Sequence, residues 1–360
     1  MPEKLIYIYV LILIARQAIV AIFWRYLQPR KIYIRDWRGR LGNNLIQIAH
    51  AIFLARKTGA SILAPPHSSL KLSSREIGIQ IYDIPTLSRR NVLEKIASLK
   101  NGKYKPILKN LVGYYQPPVS SRLSLLDGAI VRDFFYNYDL LPWNRDLTLR
   151  DYREIYKNHL FYSIDFHQTQ AKIPDRTLVI HMRSGDIFRE KPHRGLTQPP
   201  LSFYLKVIEN SQPQSILIVT QDTLNPCIDR LKQLFPDQVE IQSSSLPNDI
   251  GTILLAQNLV LSHSTFALGL AFAAPHLKHL YLPRLKVRLS YERVKFWPAL
   301  TQLFYQGDRP IQKGAKDLDF KLTSALIKNY IQVGNWRNEV QQQQVMLEHP
   351  IENVVLQRWN

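Results

Sequence analysis

Thr177-Leu-Val-Ile-His-Met182, followed at once by Arg183-Ser-Gly-Asp186, is the stretch on which the reading of this chain turns. A short, nearly continuous apolar run has the character of a strand buried on both faces, as in parallel sheets, and the glycine and charges behind it end the strand in a turn. Working towards the C-terminus, the same unit recurs. Leu201–Asn210 reads as a helix, Ser215–Thr220 (SILIVT) as a strand, Cys227–Phe235 as a helix and Val239–Gln242 as a strand. Asp249–Gln257 reads as a helix, Leu259–Ser262 (LVLS) as a strand, Phe266–Ala274 as an apolar helix and His279–Leu282 as a strand. Strands alternating with short helices describe an open doubly wound sheet, whose ligands bind beyond the strand carboxyl ends.

Towards the N-terminus, Ile32–Trp37 (IYIRDW) reads as a strand and Arg38–Asn44 (RGRLGNN) as a glycine-bearing turn. Leu45–Thr58 reads as a helix closed by Gly59, and Ser61–Pro65 as a second strand. This β-loop-α-β start also implies a parallel sheet. Residues 68–110 read as loops and short helices, and 111–170 stay unassigned except for a helix over Tyr152–Leu160. Beyond residue 284 the tendency is helical, with a polar tail beginning at the Gln341–Gln344 run. The expected organisation is a hydrophobic segment over 1–30, an α/β half over 31–170, a second over 171–330 and a polar tail over 331–360. The two halves are expected to face each other across a cleft. No repeat of solenoid period is visible.

A chain of 360 residues suits two domains. The 47 Lys and Arg against 28 Asp and Glu leave a net charge of +19, which favours anionic partners: nucleic acid, an anionic membrane, a nucleotide-sugar phosphate or an acidic polymer. The single cysteine, Cys227, excludes an intramolecular disulfide and a cysteine-based zinc site, and no Asn-x-Ser/Thr acceptor occurs. Leu5–Ala15 and Ala18–Trp24 are apolar, interrupted by Arg16-Gln17. About 20 helical residues span ~30 Å, enough for a bilayer core. Arg25, Arg30, Lys31 and Arg35 follow the run where only Lys4 precedes it, so the rest of the chain is expected on the cytoplasmic side. A buried or interfacial helix is the alternative.

Three loops carry side chains suited to chemistry. In Arg38–Asn44 the glycines permit close backbone approach and Asn43 can cap the helix; Asn43, Gln47 and His50 then form a polar stripe expected to line a cleft, or else to be satisfied inside the core. Arg183 at a strand carboxyl end matches paired phosphate oxygens, with His181 and Asp186 beside it. Ser262-His263-Ser264-Thr265 places hydroxyls at a helix N-terminus, where they and the backbone amides can hold a phosphate. Asp222 sits at another strand end, and Asp249 opens a helix that it either caps or leaves for a base to reach. There is no HExxH. The single DxD, Asp317-Leu318-Asp319, follows no expected strand and reads as a solvated helix start, so no metal site is expected.

Taken in order, GRLGNNLIQIAHA (Gly39–Ala51), HMRSGDIF (His181–Phe188) and LVLSHSTFALGLAF (Leu259–Phe272) resemble the three motifs of the fucosyltransferase superfamily that includes the α-1,2-, α-1,6- and protein O-fucosyltransferases. The resemblance covers roughly residues 32–285. It implies a metal-independent GT-B fold of two Rossmann-like halves, with GDP-fucose held by the C-terminal half. It implies a donor-phosphate role for Arg183, donor contacts from His181, Ser264 and Thr265, guanine recognition by Asp249 and a place for Asn43 in the cleft. Ser184 stands where the family usually carries a second arginine, and Asn44 where it carries glutamine. Residues 66–170, the acceptor side, match no known pattern.

The activity implied is transfer of fucose to a hydroxyl of a glycan or glycoconjugate. It needs no cofactor beyond the donor, which sets Arg183 and Asn43 as catalytic and His181, Arg183, Asp222, Asp249, Ser264 and Thr265 as donor-binding. Asp36, His50 and Asp186 are the candidates for the base. Expected partners are the nucleotide sugar, the acceptor and an anionic membrane surface, and not nucleic acid. The expected location is membrane-associated with a cytoplasmic catalytic domain, or a Golgi type II arrangement in a eukaryote. Competing readings are a GT-B transferase using another nucleotide sugar, and a non-catalytic binder of membrane or acidic polymer.

Overall fold

The computed structural model describes residues 31–34, 36–72, 78–81, 129–132, 134–135, 140, 146–166, 173–188, 197–286, 305–306, 318–330 and 339–359. The hydrophobic segment over 1–30 lies outside the described residues; among those described, no helix is long and apolar enough to cross a membrane. The chain divides into two compact units, Met1–Leu147 and Thr148–Asn360. That division falls earlier than the boundary expected near residue 170.

The first unit holds β1 (Lys31–Ile34), α1 (Leu41–Thr58), β2 (Ser61–Ala64), β3 (Ile79–Ile81) and β4 (Ala129–Arg132). These four strands form a parallel sheet in the order β3-β2-β1-β4. Ile32, Tyr33 and Ile34 are buried, and α1 is buried from Asn44 through Ala55 without a break, as a helix enclosed on every side must be. Gly59 ends α1 in the left-handed conformation (φ 70°), its N–H donating to Ala55 O. The start of α1 differs from expectation. Gly39 turns the chain at φ +71°, Arg40 becomes the N-cap with no side-chain cap, and Asn43 lies inside the first turn rather than capping it. The backbone N–H groups of Asn43 and Asn44 both donate to Arg40 O (2.9 and 3.1 Å), which closes that turn.

The second unit opens with α2 (Leu149–Ile155), continued as a π-helical turn over Tyr156–Leu160. A capping box starts it: Asp151 N donates to Thr148 Oγ1 (3.2 Å) and Thr148 N to Asp151 Oδ2 (2.7 Å). There follow β5 (Thr177–Met182), α3 (Leu201–Ser211), β6 (Ser215–Thr220), α4 (Pro226–Leu234), β7 (Val239–Gln242), α5 (Leu246–Leu255), β8 (Asn258–Leu261), α6 (Thr265–Ala273) and β9 (His279–Lys286). The C-terminal part adds β10 (Tyr305–Gln306), β11 (Lys321–Ile327), α7 (Val340–Glu348) and β12 (Val354–Arg358).

The sheet runs β12-β11-β9-β8-β5-β6-β7, with β10 pairing beside β9. Every pairing is parallel except β11 with β12. From β5 the chain builds outward through β6 and β7, then returns to place β8 on the other flank of β5 and continues through β9 and β11. The strand direction of growth therefore reverses between β5 and β8. In a doubly wound sheet that is the place where two neighbouring loops leave in opposite directions and open a crevice at the carboxyl ends.

Two expectations for the C-terminal part are corrected. The helical tendency beyond residue 284 is realised among the described residues in α7 and in a short 3-10 turn over Ile351–Asn353; β11 and β12 are strands. The tail expected to be polar over 331–360 carries an apolar side where it is described: Met346 and Val354 are buried with Ala325, Ile327 and Tyr330, most of the remaining side chains are exposed or half-buried, and β12 pairs with β11 along five residues from Val354 to Arg358. Asp319 is not a helix start. It precedes β11, with Oδ2 at 2.7 Å from Lys157 Nζ and 3.7 Å from Arg153 Nε.

Arg153, only 3% exposed, explains that arrangement. Its Nη1 donates to the carbonyls of Ala271 (3.3 Å), Phe272 and Ala274 (3.0 Å), the last turn of α6, and its guanidinium lies over Phe320 at 4.9 Å. A cation at a helix C-terminus satisfies carbonyls that have no intrahelical donor. Replacing Arg153 by Leu is expected to lower the unfolding free energy by about 3 kcal/mol, because three buried carbonyls lose their donor. Asp319→Asn is expected to cost about 0.5 kcal/mol, since that carboxylate is half-exposed. Urea unfolding of both variants checks this, and equal losses would contradict the capping role.

Candidate functional site

The carboxyl edge of the second unit's sheet is a continuous rim of loops joined by side-chain hydrogen bonds. At its centre, Ser262 Oγ accepts the Arg183 backbone N–H (3.0 Å) and lies 3.1 Å from His181 Nδ1. Ser262 is fully buried, so this hydroxyl joins the ends of β5 and β8 and does not face a ligand, unlike the hydroxyl expected of it. The His181 ring also packs against Phe266 of α6, with centroids 5.7 Å apart. Burial, reinforced by the Arg183 charge, lowers the His181 pKa to about 4, so the ring is neutral at pH 7.

Arg183 emerges from that junction. Its side chain is 24% exposed and its Nη2 is 3.5 Å from Asp186 Oδ2, a long contact at the mouth of the rim. The residues after it are locked inward. Ser184, 3% exposed, donates its hydroxyl to Asp222 Oδ1 and accepts from Asn225 N (3.1 Å). Asp222 Oδ1 also accepts the N–H groups of Gly185 (3.1 Å) and Leu224 (3.1 Å). Asn225, fully buried, donates Nδ2 to Arg183 O (3.1 Å) and caps α4 by accepting Cys227 N (3.1 Å). Gly185 has φ +69°, a conformation that side chains strain, so the turn favours glycine. The expected ligand role of Asp222 is therefore corrected for Oδ1, which clamps the β5 and β6 loops to each other.

Beside this, Ser264 is the extended N-cap of α6 and Thr265 its first residue; the N-cap side chain takes none of the helix's first amides, and no acidic residue lies in the first turn. That leaves a helix N-terminus at the reversal point of the sheet, flanked by two hydroxyls. His263 is held inward, its Nδ1 2.5 Å from Thr197 O; a carbonyl can only accept, so Nδ1 carries the proton. Further along the rim, Asp249 sits in the first turn of α5, its Oδ1 accepting from Gln242 Nε2 (2.8 Å) and Ser244 Oγ (2.9 Å). It does not act as the cap; Ser245 occupies that position.

Of the residues singled out in the sequence, His181, Arg183, Asp222, Asp249, Ser264 and Thr265 thus share one sheet edge. Asn43 belongs to the first unit, where it lies half-buried at the start of α1. Two members of the polar stripe on α1, Gln47 and His50, are satisfied inside the core and do not line a cleft. Gln47 accepts Arg38 N (2.7 Å) and donates to Asp36 O (3.0 Å), Asn44 donates to Arg38 O (3.0 Å), and His50 Nδ1 lies 2.8 Å from Phe134 O. Burial lowers the His50 pKa to about 4. A fully buried ring fixed to a backbone carbonyl is a core group, which removes His50 from the candidate bases. Asp36 and Asp186 pair with Arg38 (3.4 Å) and Arg183 (3.5 Å). Among the described residues no group of three or more His, Cys, Asp or Glu is placed to hold a metal ion.

Sequence reasoning passed over Asn225 and Gln242. Asn225 was recoverable, since Asn followed by Pro226 is a helix-start signature with proline in the first turn. Gln242 and the bridging role of Ser262 depend on which strands are neighbours, which the sequence does not display.

No family model matches the chain, and no curated protein matches it. Two crystal structures of NodZ alpha-1,6-fucosyltransferase, one co-crystallised with GDP and one soaked with GDP-fucose, show a likeness at 14% sequence identity. They cover 69% of this chain and 93% and 94% of their own, with TM-scores of 0.40 and 0.36.

Two predictions come from this geometry. Ser184→Arg is expected to destabilise the chain by about 2 kcal/mol or more, because it forces a long cation into a buried site and unpairs Asp222 and Asn225 N; denaturant unfolding reads this, and a neutral effect would show that the position is open. His50 and His181 take up protons near pH 6.5 when unfolded and only near pH 4 when folded. Between those values the unfolded state binds more protons, so stability falls as pH drops from 6.5 towards 4. Unfolding measured at pH 7, 6 and 5 should show that loss, reduced in His50→Gln and His181→Gln; an unchanged slope in both variants would contradict it.

Proposed function

We propose that the chain is a glycosyltransferase with a GT-B arrangement of two Rossmann-like halves, whose second unit binds the diphosphate of a nucleotide sugar. The donor we propose is GDP-fucose, on the three sequence motifs, and the acceptor a hydroxyl of a glycan or glycoconjugate. One observation carries the reading: Arg183 projects at the reversal point of the parallel sheet, beside the N-terminus of α6 and its Ser264 and Thr265 hydroxyls.

That arrangement suits departure of a nucleoside diphosphate. As the glycosidic C–O bond breaks, negative charge gathers on the diphosphate oxygens. A guanidinium can meet two of them in a forked contact, and helix amides with two hydroxyls can meet others. These donors are fixed before reaction, since the Arg183 backbone is held by Ser262 on one side and Asn225 on the other. His181, neutral and wedged between Ser262 and Phe266, serves as a donor contact without adding charge. Both hydrogen bonds to Asp249 fall on Oδ1, and its Oδ2 is proposed to accept from the N–H groups of guanine. The proposal also keeps Asn43 on the acceptor side and residues 1–30 as the attachment to an anionic membrane, with the catalytic units cytoplasmic.

Ser184 favours a second reading, a different nucleotide sugar, because a buried hydroxyl stands beside Arg183 where the resembled motif carries a second guanidinium. Calorimetry of the full chain with GDP and UDP, each with and without EDTA, separates the two. GDP is expected to bind with no dependence on metal, and Arg183→Ala to weaken it by tenfold or more, the loss of one charge-assisted phosphate contact of about 1.5–3 kcal/mol. Preference for UDP would replace the donor. Undiminished GDP binding by the Arg183 variant would remove this site as its location.

A further inference from the structure

The second unit contains another arginine whose charge no acidic group among the described residues answers. Arg284 lies near the carboxyl end of β9, paired with Leu326 of β11, and is 7% exposed. Tyr281 and Leu285 of the same strand point into the buried cluster with Ala325 and Met346. Arg284 has the opposite parity, so its side chain leaves from the other face of the sheet. There its guanidinium lies over the ring of Trp359, 4.7 Å from the centroid. Trp359 is itself anchored, its backbone N–H donating to Leu322 O (3.1 Å).

Among the described residues the Arg284 side chain makes this stack and neither an ion pair nor a hydrogen bond. Among the described residues, Arg284 Nε and Trp359 Nε1 are both buried donors without an acceptor. The contrast with Arg153 is instructive. That guanidinium is equally buried but has three carbonyls and Asp319, and the Asp319 charge opposes the effect of burial. For Arg284 burial acts alone. A buried cation without a counter-charge is costly, and buried charges are as a rule paired. A guanidinium held over an indole with no counter-charge among the described residues has donors suited to two oxygens of one planar or tetrahedral oxyanion.

We propose that Arg284 and Trp359 form an oxyanion-binding site for a phosphate or carboxylate group, distinct from the Arg183 site. β9 is separated from β5 by β8, so the two arginines stand on different strands of the edge. The two ligand chemistries share the forked contact, and titration distinguishes them.

The test uses the full chain in the Arg183→Ala background, so that loss of the proposed donor site cannot be confused with loss of this one. Tryptophan fluorescence and thermal unfolding are followed while sodium phosphate or sodium acetate replaces chloride at constant ionic strength. A saturable change with phosphate or with acetate is expected, and the anion that acts at lower concentration identifies the ligand class. Arg284→Lys, which keeps the charge but not the fork, should weaken it about tenfold, and Arg284→Met should abolish it. Trp359→Phe should retain folding and bind more weakly, having lost the indole N–H. Absence of any saturable response overturns the proposal, as does equal affinity in Arg284→Lys and the parent. Because the Lys variant preserves charge and most of the side-chain volume, it decides the matter even if Arg284→Met does not fold.

Discussion

A buried hydroxyl holds the candidate edge together. Ser262 Oγ, fully enclosed, meets both the backbone of Arg183 and the ring of His181, and it does so because β5 and β8 are neighbours in the sheet though some eighty positions apart in the chain. Parallel pairing of Leu178–His181 with Asn258–Leu261 puts the two strand ends side by side. The reversal of strand order at that pair then sends the following loops apart. The geometry of Arg183, the N-terminus of α6 and the hydroxyls of Ser264 and Thr265 all depend on that one register. A slip of one residue would turn every side chain of β8 to the opposite face.

The loops around this junction separate fixing from contacting. Ser184, Asp222 and Asn225 are turned inward and spend their polar atoms on one another, while Arg183 keeps its long, partly exposed contact with Asp186 at the rim. Residues that look like ligands in a motif are thus divided by burial into those that shape the loop and those that can meet a ligand. At the other end of α6, Arg153 takes the last carbonyls, so a guanidinium meets the negative end of the helix, while the Ser264 side chain does not cap the positive end.

Much of the second unit was legible because strands buried on both faces are written as uninterrupted apolar runs. Thr177–Met182, Ser215–Thr220 and Val239–Gln242 have the bounds read from sequence, and β8 and the helices between them differ by a few residues at their ends. The C-terminal strands were not legible for a physical reason. Val354–Arg358 is an antiparallel strand of intermediate burial behind a glutamine-rich helix, and its apolar signal is short. At the candidate site, residue type pointed to Arg183, Ser264 and Thr265, since guanidinium and hydroxyl at a strand end state their chemistry locally, and the fold sets the three on one sheet edge. It misplaced Gln47 and His50, whose partners Asp36 O and Phe134 O are fixed only by the fold, and it assigned Asn43 a cap that the turn at Gly39 gave to Arg40.

The most direct test of the central claim is amide hydrogen exchange of the full chain with and without GDP. The account predicts slowed exchange confined to the peptides carrying Arg183–Gly185 and Ser264–Phe266, with a weaker effect around Asp249 and none along β11 and β12. Protection elsewhere, with those two loops unchanged while GDP is bound, would contradict it.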